Sequence, residues 1–297
     1  MDTAENPASE PSAPNALRTP RPASSGHVVS RDGTRIAYDR VGSGPPVIVI
    51  VGALCSRTLG PGVKLAPMLA ARFTVFTYDR RGRGNSGDHA PYAIACEVED
   101  LEALLVEAGG SACVFGHSSG AVLALRAAEH GLPITKLALY EAPFVVDNER
   151  PSLEKEWAQI DAFVKSGRPG DAVKVFMKSV GVPAFAIALM RWLPIWKSVT
   201  KVAHTLPYDG ALVQEFQRGA PLPATAWSHV AIPTLAIDGG KSPAWMRNGA
   251  RALATVLPNA QYRTLEGQTH DVSAKALTPV LDEFFGNRAT IGSMARG

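Results

Sequence analysis

Cysteine is scarce in this chain. Cys55, Cys96 and Cys113 are its full complement, an odd number set far apart, with none of the paired spacing of a disulfide framework or a zinc ligand set. That scarcity fits a reducing compartment, and the cytoplasm is the expected location. Long apolar runs are missing too: no stretch approaches the ~18 apolar residues of a membrane span, and the first residues lack the apolar centre of a secretory signal. Nor does charge of one sign accumulate. The net charge of +3 comes from scattered Lys and Arg, so even a pI near 8.8 gives no basic stripe for nucleic acid. No metal and no cofactor are expected. The partner that remains is a small-molecule substrate; the oligomeric state is not legible.

What is present suffices for a large core. With 297 residues, 46% hydrophobic and 19% charged, the chain can form one large domain or a domain carrying an insertion. Residues 1–25 hold Pro7, Pro11, Pro14, Pro20 and Pro22 among Ala, Ser and Glu, too little apolar surface to offset chain entropy, and are expected to be disordered. From His27, two alternating segments flank Asp32-Gly33, a strong hairpin signal. Pro46–Val51 is a continuous β-branched run, as in strands buried on both faces of a parallel sheet. Phe73–Asp79, Ile134–Tyr140, Ile232–Asp238 and Ala260–Leu265 read as further strands. Helices are expected over Leu65–Ala71, over Ala95–Ala108 with Val98, Leu101 and Leu105 on one face, and at the end through Leu281, Phe284 and Phe285. Between 146 and 230 no strand signal occurs. Helices are expected there over Leu153–Lys165, Ala172–Val180 and Phe185–Trp196, and the apolar patch of Met190, Trp192, Leu193, Ile195 and Trp196 is expected mainly to pack within this insertion. The organisation expected is α/β, a core over 26–145 and 231–290 with a helical cap over 146–230.

The segment with the most chemistry is Ser111–Gly120, an apolar strand running through Gly116-His-Ser-Ser-Gly120 into an Ala/Leu-rich helix that stops at Gly131. A serine on a tight strand-to-helix turn is pushed into the open, which makes Ser118 a candidate nucleophile. The helix after it points its first amides, Ser119 among them, at any oxyanion formed there. Gly52 ends the Pro46–Val51 strand and lets backbone approach closely, so the Ala53 N–H is the candidate for a second donor. Glu141 stands just past one strand end, where a carboxylate can orient a histidine. His270 stands past another, in a glycine-containing loop. His117 adjoins Ser118 but is expected to point away into packing, and His89, His130, His204 and His229 lack a paired acid. Arg80, Arg81 and Arg83 could hold an anion, though pairing or solvation is the ordinary fate of such arginines.

These motifs, in this order, resemble the α/β-hydrolase fold superfamily over about 27–285. Gly116-His-Ser-Ser-Gly120 is similar to its nucleophile elbow, Tyr78-Asp-Arg-Arg-Gly-Arg-Gly-Asn-Ser86 to its D-x-R-G-x-G-x-S loop, and Thr269-His270-Asp271 to its histidine loop. The resemblance implies a mostly parallel eight-stranded sheet and a Ser118, His270, acid triad. Two departures stand out. Val51-Gly52 replaces the usual His-Gly, and Gly239-Gly240-Lys241-Ser242 puts serine where an acid usually follows the seventh strand. Glu141, at a position used by some members, is preferred as the acid, with Asp238 as the alternative. The resemblance implies acyl transfer on an ester, lactone, thioester or amide, while a lyase, cyclase or acyltransferase, or a binding protein with a vestigial triad, stays open.

Overall fold

The computed structural model describes residues 23–287. The expected disordered tail therefore lies largely outside the described residues, and its boundary shifts: Ser24 and Ser25 already belong to the first strand, β1 (Ser24–Val29). There they pair with β2 (Arg35–Gly42) across the Asp32-Gly33 turn, Ser24 opposite Arg40 and Val29 opposite Arg35. Gly33, at φ 85°, takes the left-handed conformation that such a turn demands.

The remaining strands are β3 (Pro46–Ile50), β4 (Thr74–Tyr78), β5 (Ala112–His117), β6 (Ile134–Tyr140), β7 (Thr234–Gly239) and β8 (Ala260–Leu265). They form one eight-stranded sheet in the order β1-β2-β4-β3-β5-β6-β7-β8. β1 and β2 run antiparallel and every pairing from β4 to β8 is parallel. Every residue of β5 and β7 is buried, as the β-branched and apolar runs require of central parallel strands. The chain steps from β3 outward to β4 and returns to the other side of β3 as β5. That reversal opens a crevice at the carboxyl ends of β3 and β5, where α/β sheets bind ligands.

Helices α1 (Gly62–Leu69), α2 (Ile94–Glu107), α3 (Ser119–Glu129), α9 (Ala244–Val256) and α10 (Ala274–Gly286) flank the sheet. Between β6 and β7 the chain forms no strand, and its helices are α4 (Glu154–Lys165), α5 (Pro169–Ser179), α6 (Ala184–Met190), α7 (Pro194–Lys201) and α8 (Leu206–Val213), joined by loops and short 3-10 turns. The helix expected over Phe185–Trp196 is two helices. Pro194 supplies no N–H and forces Leu193 into an extended conformation (φ −96°, ψ 151°), so α6 ends before it and α7 begins on it. The apolar patch there is also less internal than expected. Trp192 is 88% exposed, and Leu193 and Ile195, with Phe185 and Leu189, also face solvent, because short helices present too narrow a surface to bury all of them. Among the described residues no helix is long and apolar enough to cross a membrane.

Candidate active site

Gly116 and Gly120 let strand β5 meet helix α3 in almost no space. A Cβ on Gly116 would stand 2.5 Å from the Ala121 Cα, and one on Gly120 2.4 Å from the Ile50 carbonyl oxygen. Between them Ser118 is held at φ 57°, ψ −128°, a conformation costly for a residue with a side chain. Its N–H donates to the Tyr140 carbonyl at 2.9 Å and its own carbonyl accepts from Ala121 at 2.9 Å. Ser118 Oγ has no hydrogen-bond partner among the described residues and lines a cleft with Ala53, Trp157, Trp245 and His270. Gly52 packs directly on it: a Cβ there would lie 2.8 Å from the Ser118 Cβ. That contact brings the Ala53 amide beside the elbow. Among the described residues neither the Ala53 nor the Ser119 N–H donates to a backbone carbonyl.

Strand register brings the acid and the histidine to the same edge. His117 is level with Tyr140 across β5 and β6, and Tyr140 with Ile237 across β6 and β7, so Glu141 emerges one residue beyond, at φ 47° and fully buried. Glu141 Oε1 accepts the Gly239 N–H at 2.7 Å, and Oε2 accepts His270 Nδ1–H at 2.7 Å. The alternative acid, Asp238, is turned elsewhere. Its Oδ2 accepts Tyr262 O–H at 2.6 Å and lies 3.4 Å from Arg247 Nε. Among the described residues the hydroxyl of Ser242, where the resembling family places an acid, has no hydrogen-bond partner.

The loop carrying His270 is braced by two residues whose part the sequence concealed. Tyr140 O–H donates to the Thr269 carbonyl at 2.6 Å, and His117 Nε2–H donates to the His270 carbonyl at 2.9 Å. His117 does point away from Ser118, but into this loop rather than into apolar packing. Burial, and secondarily the neighbouring His270, lower its pKa to about 3, so it is neutral. The unfolded chain takes up a proton at this residue below pH 6.5 and the folded chain refuses it down to about pH 3. Stability should therefore fall as pH drops through that window, by up to ~1.4 kcal/mol per pH unit from this residue. His117→Gln keeps a donor at the Nε2 position and cannot titrate. Urea midpoints should show a shallower loss between pH 6.5 and pH 4 in that variant, and parallel curves would contradict the assignment.

Arg80, Arg81 and Arg83 are buried and paired. Arg81 joins Asp100 and Asp32 (Nη2–Oδ1 2.8 Å, Nη1–Oδ2 2.9 Å). Arg80 is held by Glu97 and by Asp209 of α8, at 2.6 and 2.7 Å. Arg83 binds the other Asp209 oxygen at 2.7 Å and donates to the Gly52 carbonyl at 2.7 Å. It braces the Gly52–Ala53 backbone where the resembling family has a histidine at the position of Val51. Ser119 Oγ completes the cluster by donating to Asp209 at 2.7 Å. Burial pushes the Asp209 carboxyl up, but Arg83 and Arg80 outweigh it and hold it ionised, below its ordinary value. Sequence reading missed Asp209, since nothing local marks one acid in a short helix as the partner of arginines more than a hundred residues away.

A family model described as "Alpha/beta hydrolase family" matches residues 47–282. An N-formylmaleamate deformylase of Pseudomonas putida is 30% identical over 194 residues, 63% of this chain and 68% of that protein. The crystal structure of an alpha/beta hydrolase from Sphaerobacter thermophilus superposes with a TM-score of 0.80 at 50% identity, covering 88% of this chain and all of that one. The enol-lactonase from Burkholderia xenovorans LB400 shares the fold, with a TM-score of 0.65 at 20% identity over 88% of this chain and 100% of its own.

Proposed function

Since this chain belongs to the alpha/beta hydrolase family and is accordingly a hydrolase, we propose that it cleaves a carboxylic ester, lactone or related acyl bond of a small molecule through an acyl-enzyme on Ser118. The observation that carries this reading is the 2.7 Å hydrogen bond from His270 Nδ1 to the buried Glu141 carboxylate, beside a serine strained into the same cleft. A proton fixed on Nδ1 leaves Nε2 basic. Ser118 Oγ attacks the carbonyl carbon as its proton passes to His270 Nε2, and the imidazolium formed is stabilised by Glu141. The oxyanion of the tetrahedral intermediate accepts from the Ala53 and Ser119 amides, which no backbone carbonyl among the described residues engages. His270 then protonates the leaving group. Water, activated by the same imidazole, attacks the acyl-Ser118 carbonyl, and the acid is released with the serine restored.

The pairing of Arg83 with the Gly52 carbonyl holds one oxyanion donor in place before substrate arrives, so this part of the transition-state complement is preorganised. The helices between β6 and β7 act as a lid, contributing Trp157, Phe176 and Val213 to the cleft and excluding water from it. Removal of a formyl group, the activity in the name of the Pseudomonas putida relative, is acyl chemistry of the same kind.

A fluorophosphonate reporter tests the reading directly. It should attach covalently to Ser118, located by mass spectrometry of the labelled peptide. No labelling, under conditions that label a known serine esterase, would sink the nucleophile and favour a binding protein that keeps only the shape of the site.

A further inference from the structure

Two acidic groups beside the cleft are accounted for. Asp209 is neutralised by Arg80 and Arg83, and Glu141 faces His270. Arg150 is not. It lies on the segment between β6 and α4, partly buried, and lines the cleft together with Ser118 and His270. No carboxylate among the described residues forms an ion pair with it. Glu156 is the charge that acts on it, from beyond pairing distance, and burial pulls its pKa below the ordinary arginine value. A cation in such surroundings is costly unless something compensates it.

Its geometry is that of a held, underused donor. The guanidinium carbon sits 4.4 Å from the centroid of the Trp245 ring, which fixes the plane of the group. Of the five N–H donors a guanidinium carries, one finds a protein acceptor among the described residues, the carbonyl of Ser179 at the end of α5. The rest of the cleft near it is largely apolar, with Trp157, Phe176, Val180 and Met246. A planar fork with free edges is suited to a carboxylate, which it can bind through two parallel hydrogen bonds.

We propose that Arg150 is the anchor for a substrate carboxylate, so that the compound cleaved at Ser118 is an acyl compound carrying a free carboxylate away from the scissile bond. This rests on the serine hydrolase reading above. The competing role for Arg150 is structural, a cation closing the carboxyl end of α5, and the test must separate the two.

The full-length protein is assayed on monomethyl glutarate and methyl valerate, esters of matched chain length that differ in a terminal carboxylate. The wild type should favour the monoacid. Arg150→Met should lower kcat/KM for the monoacid by roughly 10- to 100-fold, mainly through KM, the loss expected for one charge-assisted contact, and leave the neutral ester within about threefold. Arg150→Lys should recover part of the loss. In parallel, free glutarate should slow fluorophosphonate labelling of the wild type and not of Arg150→Met, a readout that needs no turnover. Equal cleavage of both esters by the wild type, equal loss on both in Arg150→Met, or labelling that glutarate does not slow, each overturns the anchor while Ser118 labelling stands. Absence of labelling overturns the serine reading and the anchor with it.

Discussion

Ser118→Ala is expected to lower kcat by about 10⁴- to 10⁶-fold, the loss seen when a nucleophile is removed from a cooperating triad, while the melting temperature stays near that of the wild type. The two halves of that expectation have separate causes. In the proposed mechanism the hydroxyl is the attacking atom, so nothing else in the cleft replaces it. It also has no hydrogen-bond partner among the described residues, and alanine keeps the Cβ that packs on Gly52, so its removal leaves no buried group unsatisfied. Ser119→Ala is the informative contrast. The Ser119 hydroxyl is buried and donates to Asp209 at 2.7 Å, so its loss should cost about 1–2 kcal/mol of stability and leave the Ser119 backbone amide in place. An active Ser118→Ala beside an inactive Ser119→Ala would overturn the elbow assignment.

Glu141→Gln should reduce kcat by roughly 10⁴-fold, as a tautomer error does in a triad. The carboxylate accepts on both oxygens, from Gly239 N–H and from His270 Nδ1–H. A glutamine can keep its carbonyl toward Gly239 only by turning its NH₂ on His270. Nδ1 must then be the acceptor, the proton moves to Nε2, and the base faces away from Ser118. Asp238→Asn should cost far less activity, because Asp238 is engaged by Tyr262 and Arg247 rather than by His270. Measured kcat values for the two variants decide between the acids: a larger loss at Asp238 than at Glu141 would remove Glu141 from the mechanism.

Much of this was readable from local pattern. The buried run Pro46–Val51, the alternating edge strand Ala260–Leu265, the Asp32-Gly33 turn and the glycines around Ser118 each carry their structural reason within a few residues, so strands, hairpin and elbow follow from them. Glu141 was legible because a strand end has a fixed place in a parallel sheet. The gaps have a shared cause. The Arg80–Asp209 pair spans 129 residues of sequence, and neither Arg150 over Trp245 nor His117 beneath the His270 loop leaves a periodicity or a spacing to detect. Helices α8 and α9 escaped for a milder reason. Leu206-Pro-Tyr-Asp-Gly210 and the Asn248-Gly249 pair carry residues that weaken helix on their own, and tertiary packing overrides that preference. Where Pro194 interrupts an apolar run, hydrophobic pattern alone joins what backbone chemistry divides.

The tether between α8 and the elbow loop bears on how this enzyme can be remade. Asp209 is shared by Arg80, Arg83 and Ser119, and Arg83 reaches on to the Gly52 carbonyl, so α8 belongs energetically to the sheet body that carries the Ser118 turn although it follows the other inserted helices in sequence. Replacing it with a helix lacking an acid at this position leaves the buried Arg83 guanidinium without a carboxylate and Arg80 with Glu97 alone, a defect of several kcal/mol when one partner of a buried pair is lost. Helices α4 to α7 carry no such debt to the arginines. A chimera that imports a foreign segment from α4 to α7 and joins it after Lys201 keeps Thr205, whose hydroxyl accepts from Arg83 Nε at 3.0 Å, and is expected to change chiefly what the cleft admits, which makes the short stretch between α7 and Thr205 the natural crossover point for altering specificity.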